Sequence, residues 1–160
     1  MADLETHPIV QKLRELAPDA VEDWGTFRGE LTVFVRPAMI QKACELLRDA
    51  SGLLFKYLSD LTVVDRYPDE PRFEVVYHLL SLQTWERLRL KARVAGDDPT
   101  IDSVMPVWPG AEAFENEAYD LFGIRFEGHP GLRRILMPED WEGHPLRKDY
   151  PVQGDITRWP

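Results

Sequence analysis

The stretch FEVVYHLLSLQTWERLRLKARV, Phe73 to Val94, decides the fold. In its first half Phe73, Val75, Tyr77 and Leu79 alternate with Glu74, Val76, His78 and Leu80. In its second half Leu88, Leu90, Ala92 and Val94 alternate with Arg87, Arg89, Lys91 and Arg93. Successive side chains of a strand point to opposite faces, so the second half places its aliphatic residues on one face and its cations on the other. Wound as a helix, the same cations would scatter around the cylinder. Two strands follow, each with a face to bury. The cationic face reads as a solvated outer sheet face on an edge strand, where spaced charges oppose self-aggregation. Docking of an acidic protein is the second reading of that face.

Toward the N-terminus, Pro68-Asp69-Glu70-Pro71 is a turn, and Leu53 to Tyr67, apolar and β-rich around Asp60 and Asp65, reads as a long strand with an irregularity. Pro37 opens a helix carrying Ile40, Ala43, Leu47 and Ala50 at helical spacing, closed by Ser51-Gly52. Residues 20–28 and 31–36 read as a hairpin turning at Gly29-Glu30. A first helix starts at Pro8, shares Ile9, Val10, Leu13, Leu16 and Ala17 on one face, and stops at Pro18. Toward the C-terminus, Gly96 to Pro99 is a loop, Ile101 to Met105 one helical turn, and Ala111 to Phe122 a helix with Phe114, Ala118, Leu121 and Phe122 as its buried face. The expected class is α+β: one mixed, mainly antiparallel sheet with helices packed on one face, plus an extended C-terminal arm. Residues 1–124 form the compact domain, and 125–160 form a Pro/Gly-rich arm.

Composition narrows the function. A chain of 160 residues is expected to form one domain and bury about 70% of its unfolded surface. The formal charge of −9 argues against nucleic acid or anionic lipid as the main partner. The single cysteine, Cys44, excludes a disulfide framework or an iron–sulfur cluster held by this chain alone. No apolar run approaches the roughly 20 residues that a membrane span needs, so a membrane is expected to be reached only through other proteins. No Gly-x-Gly-x-x-Gly, Gly-x-x-x-x-Gly-Lys or Gly-x-Ser-x-Gly occurs. No stacking motif of the RNP type accompanies the cationic strand.

The last third, ENEAYDLFGIRFEGHPGLRRILMPEDWEGHPLRKDYP from Glu115 to Pro151, behaves differently. Beyond Gly123, glycines and prolines interrupt every few residues, so neither helix nor long strand runs through. Yet Phe126, Leu132, Ile135, Leu136, Met137, Trp141, Leu146 and Tyr150 are more apolar surface than a solvated linker carries. Such a segment is an arm lying on another surface, its own domain or a partner. Arg133-Arg134 and Arg147-Lys148, with Trp141, Leu146 and Tyr150, are residue types of interface cores. With so many prolines and glycines, the arm is expected to be unordered without its partner. The helix carboxylates Glu112, Glu115, Glu117 and Asp120 are expected to be solvated or salt-bridged; a weak cation site at Glu112 and Glu115 is the alternative. His129 and His144, each in Gly-His-Pro, are expected to be turn histidines, since two histidines are too few for a zinc site.

These same runs, Glu115–Gly123, Gly128-His129-Pro130, Leu132–Leu136 and Pro138–Pro151, resemble the signature of one family, the 30-kilodalton or C subunit of proton-pumping NADH:quinone oxidoreductase, respiratory complex I. The chain departs from that pattern at Asn116, where arginine is usual, and at Gly131, where aspartate is usual. The resemblance implies a non-catalytic structural subunit of the peripheral arm, on the cytoplasmic face of the membrane. It implies docking against the quinone-site 49-kilodalton (D) subunit. No cofactor or metal site is expected in this chain; flavin, iron–sulfur clusters and quinone belong to the partner subunits. By resemblance and residue type, docking falls to Glu115, Glu117, Asp120, Arg133, Arg134 and Trp141, and to His144, Arg147, Lys148, Asp149 and Tyr150. Three alternatives stay open: the equivalent subunit of a membrane-bound [NiFe] hydrogenase or another donor:quinone oxidoreductase, a stand-alone metal-dependent hydrolase using His129, His144 and the helix carboxylates, and a free-standing adaptor.

Overall fold

The computed structural model describes residues 7–152. A first helix, α1 (Pro8–Leu16), leads into the hairpin β1 (Val21–Phe27) and β2 (Glu30–Val35), then α2 (Ile40–Asp49), entered through a short 3-10 turn at Pro37–Met39. Strands β3 (Tyr57–Asp65), β4 (Phe73–Leu80) and β5 (Arg87–Val94) follow, then β6 (Thr100–Asp102), α3 (Ala111–Phe122) and β7 (Arg125–Glu127). The five-stranded sheet runs β1-β2-β5-β4-β3, with only the β2–β5 pair parallel. A small parallel pair, β6–β7, stands apart from it. This is the α+β architecture expected from the alternating stretches.

Registers explain why one face became the core. Leu31 and Val33 of β2 lie beside Leu88 and Leu90 of β5, and Val75, Tyr77 and Leu79 of β4 face Ala92, Leu90 and Leu88. On β3, an irregularity between Leu58 and Asp60 lets Leu58 and Leu61 both turn inward, where they meet Leu79 and Tyr77. Ile9, Val10 and Leu13 of α1, Ile40, Ala43, Cys44 and Leu47 of α2, and Ala111 and Ala118 of α3 close over this face. Val76, on the opposite face of β4, is buried but lies outside that cluster.

Several local readings change: the third strand is shorter than Leu53 to Tyr67, running over Tyr57–Asp65, Leu16 is exposed, and Phe114, Leu121 and Phe122 of α3 are only partly buried. The hairpin turns at Arg28-Gly29, both at positive φ (51° and 82°), so Glu30 already belongs to β2. Ile101 to Met105 is not a helical turn. Thr100–Asp102 is a strand, because Ile101 is buried and pairs with Phe126 of β7, a partner too distant for local periodicity to reveal. Nor is β5 an edge strand: the parallel pairing of β2 places it in the middle of the sheet. Its cations are therefore flanked on both sides.

Candidate functional site

Helix α3 ends at Gly123, whose φ of +77° stops it in the left-handed conformation. The last carbonyls of a helix lack intrahelical partners, and here the arm supplies them. The cap residue Gly123 itself closes Tyr119 O with its N–H at 2.8 Å, and from the arm Leu146 N–H donates to Leu121 O at 3.1 Å. Arg134 Nη1 and the His144 ring at Nδ1 reach Asp120 O, each at 3.0 Å, and Arg147 Nε donates to Phe122 O at 2.6 Å. The arginines also match the negative end of the helix dipole. Burial pushes His144 below its ordinary range, which fits a neutral ring donating from Nδ1. A Cβ on Gly123 would stand 2.6 Å from Arg147 Nη2 and from the His144 ring, so the close approach itself requires glycine.

The Asp120 side chain, fully buried, organises the arm's course. Its Oδ1 accepts from Arg134 Nη1 at 2.7 Å, and its Oδ2 accepts the N–H groups of Ile135, Leu136 and Met137 at 3.0, 2.7 and 2.9 Å. Arg134 Nη2 goes on to Trp141 O and Gly143 O, each at 2.9 Å. Burial alone would raise the Asp120 carboxyl; these backbone donors and Arg134 outweigh it and hold the group below its usual range.

The far end of the arm is fixed on the sheet. Arg72 presents Nε and Nη2 to Asp65 at 2.9 and 2.8 Å, and Nη1 and Nη2 to Asp149 at 2.9 and 2.7 Å. Asp65 Oδ2 also takes Lys148 N–H at 2.8 Å. The guanidinium lies 4.9 Å from the ring centres of both Tyr67 and Phe73, and Arg147 lies over Phe73 at 5.2 Å. Hydrogen bonding to Arg72 holds Asp65 well below the carboxylate range. Sequence reading missed Asp65 and Arg72. Their signal was available: Asp65 continues the inward register of Leu61 and Val63, a charge at a core-facing strand position.

Of the helix carboxylates, Glu112 and Glu117 are exposed, as expected, but α3 turns Glu115 and Asp120 inward. Asp120 is salt-bridged there to Arg134, while Glu115 is held by hydrogen bonds. Glu115 accepts from Ser103 Oγ at 2.6 Å and Val104 N–H at 2.7 Å, and its Oε2 lies 4.0 Å from His129 Nε2. Burial pushes its carboxyl up to about 7. Asn116, also buried, accepts Arg133 N–H at 3.0 Å. Arg133 itself is exposed, as is Lys148 beyond its backbone bond. Trp141 is half-buried, its indole nitrogen covered and without a hydrogen-bond partner among the described residues. Tyr150 packs beside Gly143, where an added Cβ would come within 2.9 Å of its ring. Residues 128–152 thus follow a defined path over α3 and the sheet, unlike the unordered arm expected from their prolines. Among the described residues no group of three or more His, Cys, Asp or Glu is placed to hold a metal ion.

Glu115 carries a pH signature. Its pKa rises from the usual 4.5 to about 7 on folding, so the folded state keeps a proton that the unfolded chain has released. Its stabilising effect is complete below about pH 4.5 and is lost as pH climbs through 7, roughly 3 kcal/mol in all. Glu115→Gln, which keeps an acceptor for Val104, is expected to flatten the pH 5–8 slope of unfolding free energy measured in urea.

The family profile described as "Respiratory-chain NADH dehydrogenase, 30 Kd subunit" matches residues 33–156. The chain belongs to this family. Relatives include the C subunit of the NADH-quinone oxidoreductase of Roseiflexus sp. (strain RS-1), 49% identical over 149 residues covering 93% of this chain and 86% of the relative. That of Geotalea uraniireducens (strain Rf4) is 48% identical over 155 residues, 96% of this chain and 93% of the relative. Among solved structures, a chain of the membrane-bound sulfane sulfur reductase, an archaeal respiratory membrane complex, aligns with TM-score 0.74 at 28% identity, over 90% of this chain and 84% of that one. A trypsin-resistant fragment of Nqo5 aligns with TM-score 0.61 at 32% identity, over 78% of this chain and 96% of the fragment. For this member of the 30-kilodalton-subunit family, most of the arm's bonds to α3 and the sheet fall within the profile match. No helix among the described residues is long and apolar enough to cross a membrane.

Proposed function

We propose that this chain is the C subunit of a proton-pumping NADH:quinone oxidoreductase: a structural, non-catalytic member of the peripheral arm, on the cytoplasmic face of the membrane. Its partners are other subunits of that complex, chiefly the quinone-site 49-kilodalton subunit. Flavin, iron–sulfur clusters and quinone reside in those partners, and the chain meets the membrane only through them. Family membership over most of the chain supports this reading. The observation that carries the docking part is how the arm spends its polar groups. Asp120, Arg134, His144, Arg147 and Asp149 are all engaged within the chain. Among its outward residues are Ile135, Leu136 and Leu146, 44, 60 and 53% exposed, beside the exposed cations Arg133 and Lys148 and the exposed acids Glu139 and Asp140. Of the residues expected to dock, Asp120, Arg134, His144, Arg147 and Asp149 therefore shape the arm, and the contact itself falls to Arg133 and Lys148 together with the apolar trio, the composition of an interface core with a polar rim.

The likeness to a chain of the sulfane sulfur reductase complex supports a second reading, the equivalent subunit of another membrane-bound donor oxidoreductase. Affinity capture of this chain from detergent-solubilised native membranes, with identification of the bound proteins and an NADH:quinone assay, separates the two. Recovery of a quinone-site large subunit together with flavin and iron–sulfur subunits and activity is the expected result. A [NiFe]-hydrogenase-type large subunit without NADH activity would favour the second reading, and the chain alone would overturn both.

A further inference from the structure

The sheet has a second face, which the arm does not use. On the side away from the helices, the registers bring Gly25, Thr32, Arg89, His78 and Asp60 into one row across the strands. Asp23, Phe34, Lys91, Val76 and Thr62 form the next, with Arg93 and Glu74 beyond. Three cations converge there on one carboxylate. Glu74, 7% exposed at its side chain, accepts from Lys91 Nζ at 2.9 Å and Arg66 Nη2 at 3.0 Å, and Arg93 Nε lies 3.8 Å away. Glu74 neutralises one of the three charges and Asp23, exposed in the neighbouring row, offsets a second, which leaves a single local positive charge in a chain whose formal charge is −9. The side chains of Arg66 and Arg93 remain 49 and 39% exposed. Lys91 and Arg93 also lie over the Phe34 ring, at 5.5 and 4.1 Å from its centre.

A shallow groove of about 300 Å3 runs from Lys91 over β1 and β2, floored by Gly25, Thr32 and Phe34 and flanked by Phe27 and Asp23, with Arg66 and Arg93 beyond its Lys91 end. Phe27 is 70% exposed, and a Cβ added at Gly25 meets nothing within 4 Å, so the floor lies open. We propose that the groove and its cationic end receive an extended acidic segment from a second neighbouring subunit. An apolar side chain would lie over Gly25 and Phe34, and carboxylates would meet Arg66 and Arg93. The argument is charge complementarity: a small local excess of guanidinium and ammonium groups beyond the groove's Lys91 end suits a carboxylate. A polyphosphate or anionic bilayer, carrying many charges, would be repelled more strongly by the rest of this acidic chain than a segment with one or two carboxylates. The inference rests on membership in a multi-subunit complex but not on where the arm docks.

Zero-length carbodiimide coupling in the affinity-purified complex tests it, with peptides of Lys91 mapped by mass spectrometry. The expected product joins Lys91 to an Asp or Glu of another subunit. Gly25→Glu, which places a like charge on the open floor of an exposed strand, is expected to weaken recovery of that subunit by about tenfold, and so is the pair Arg66→Glu with Arg93→Glu. The melting temperature of the isolated Gly25→Glu chain should not change. Coupling of Lys91 to Glu74 alone, or equal amine labelling of Lys91 in the complex and the isolated chain, would overturn the inference. Protection of Lys91 that disappears on delipidation, without any inter-protein link, would assign the face to anionic lipid and overturn it as well. Failure of the chain to co-purify with any complex would instead remove the proposed function itself.

Discussion

Asp120→Ala is expected to release the arm from α3 and to destabilise the folded chain by roughly 3–5 kcal/mol, the range for removing one partner of a buried ion pair. The reasoning is geometric. One carboxylate, with no solvent access, accepts Arg134 and three successive backbone N–H groups. Alanine leaves all four donors without that acceptor in a part-buried site, and each unsatisfied donor costs about 1–3 kcal/mol where water cannot replace it. The loss extends further, because Arg134 also ties Trp141 O and Gly143 O. Asp120→Asn should fall between wild type and alanine, since an amide supplies one oxygen and turns its NH2 toward a donor. Urea unfolding gives the magnitude; limited proteolysis within residues 128–152 reads release of the arm directly.

Arg72→Met is the second large effect, also expected at roughly 3–5 kcal/mol. It leaves Asp65, 2% exposed at its side chain, with only the N–H groups of Tyr67 and Lys148, and it frees Asp149. Adding Asp65→Leu to Arg72→Met should restore much of the loss, because an apolar pair of similar volume replaces an uncompensated charge. Asp65, Asp120 and Asp149 are all held below their usual range, Asp65 and Asp149 first by Arg72 and Asp120 by donors that overcome its burial. Each therefore contributes stability above the ordinary carboxylate range that is lost as pH falls through its lowered value. Arg72→Met should shrink this acid-side loss by removing the principal cause at two of the three sites.

The parts of the fold legible in the sequence were those governed by a short period. Phe73–Leu80 and Arg87–Val94 declared themselves by alternation, and α2 by its apolar spacing, since a buried face must repeat with the backbone. Pairing between distant segments leaves no such mark. The β6–β7 pair and the central place of β5 arise from partners well separated in sequence. The arm shows the limit most clearly. Its prolines and glycines correctly excluded helix, yet its order comes from single side chains reaching particular carbonyls at the end of α3. Arg134 and Arg147 have the composition of partner-binding residues, and the structure turns both inward. Asp120 looked like a surface helix carboxylate, because nothing in its neighbours announces the three N–H groups that arrive 15 to 17 positions later.

Amide hydrogen exchange on the isolated full-length chain tests the central claim, that the arm is seated by its own domain before any partner arrives. The N–H groups of Ile135, Leu136, Met137 and Leu146 are bonded to α3. They should be protected well beyond the unstructured rate in the wild-type chain and should lose that protection in Asp120→Ala, while the amides of β4 and β5 stay protected in both. Exchange of those four amides at the unstructured rate in the wild type, with the sheet intact, would contradict the account and return the ordering of the arm to its partner.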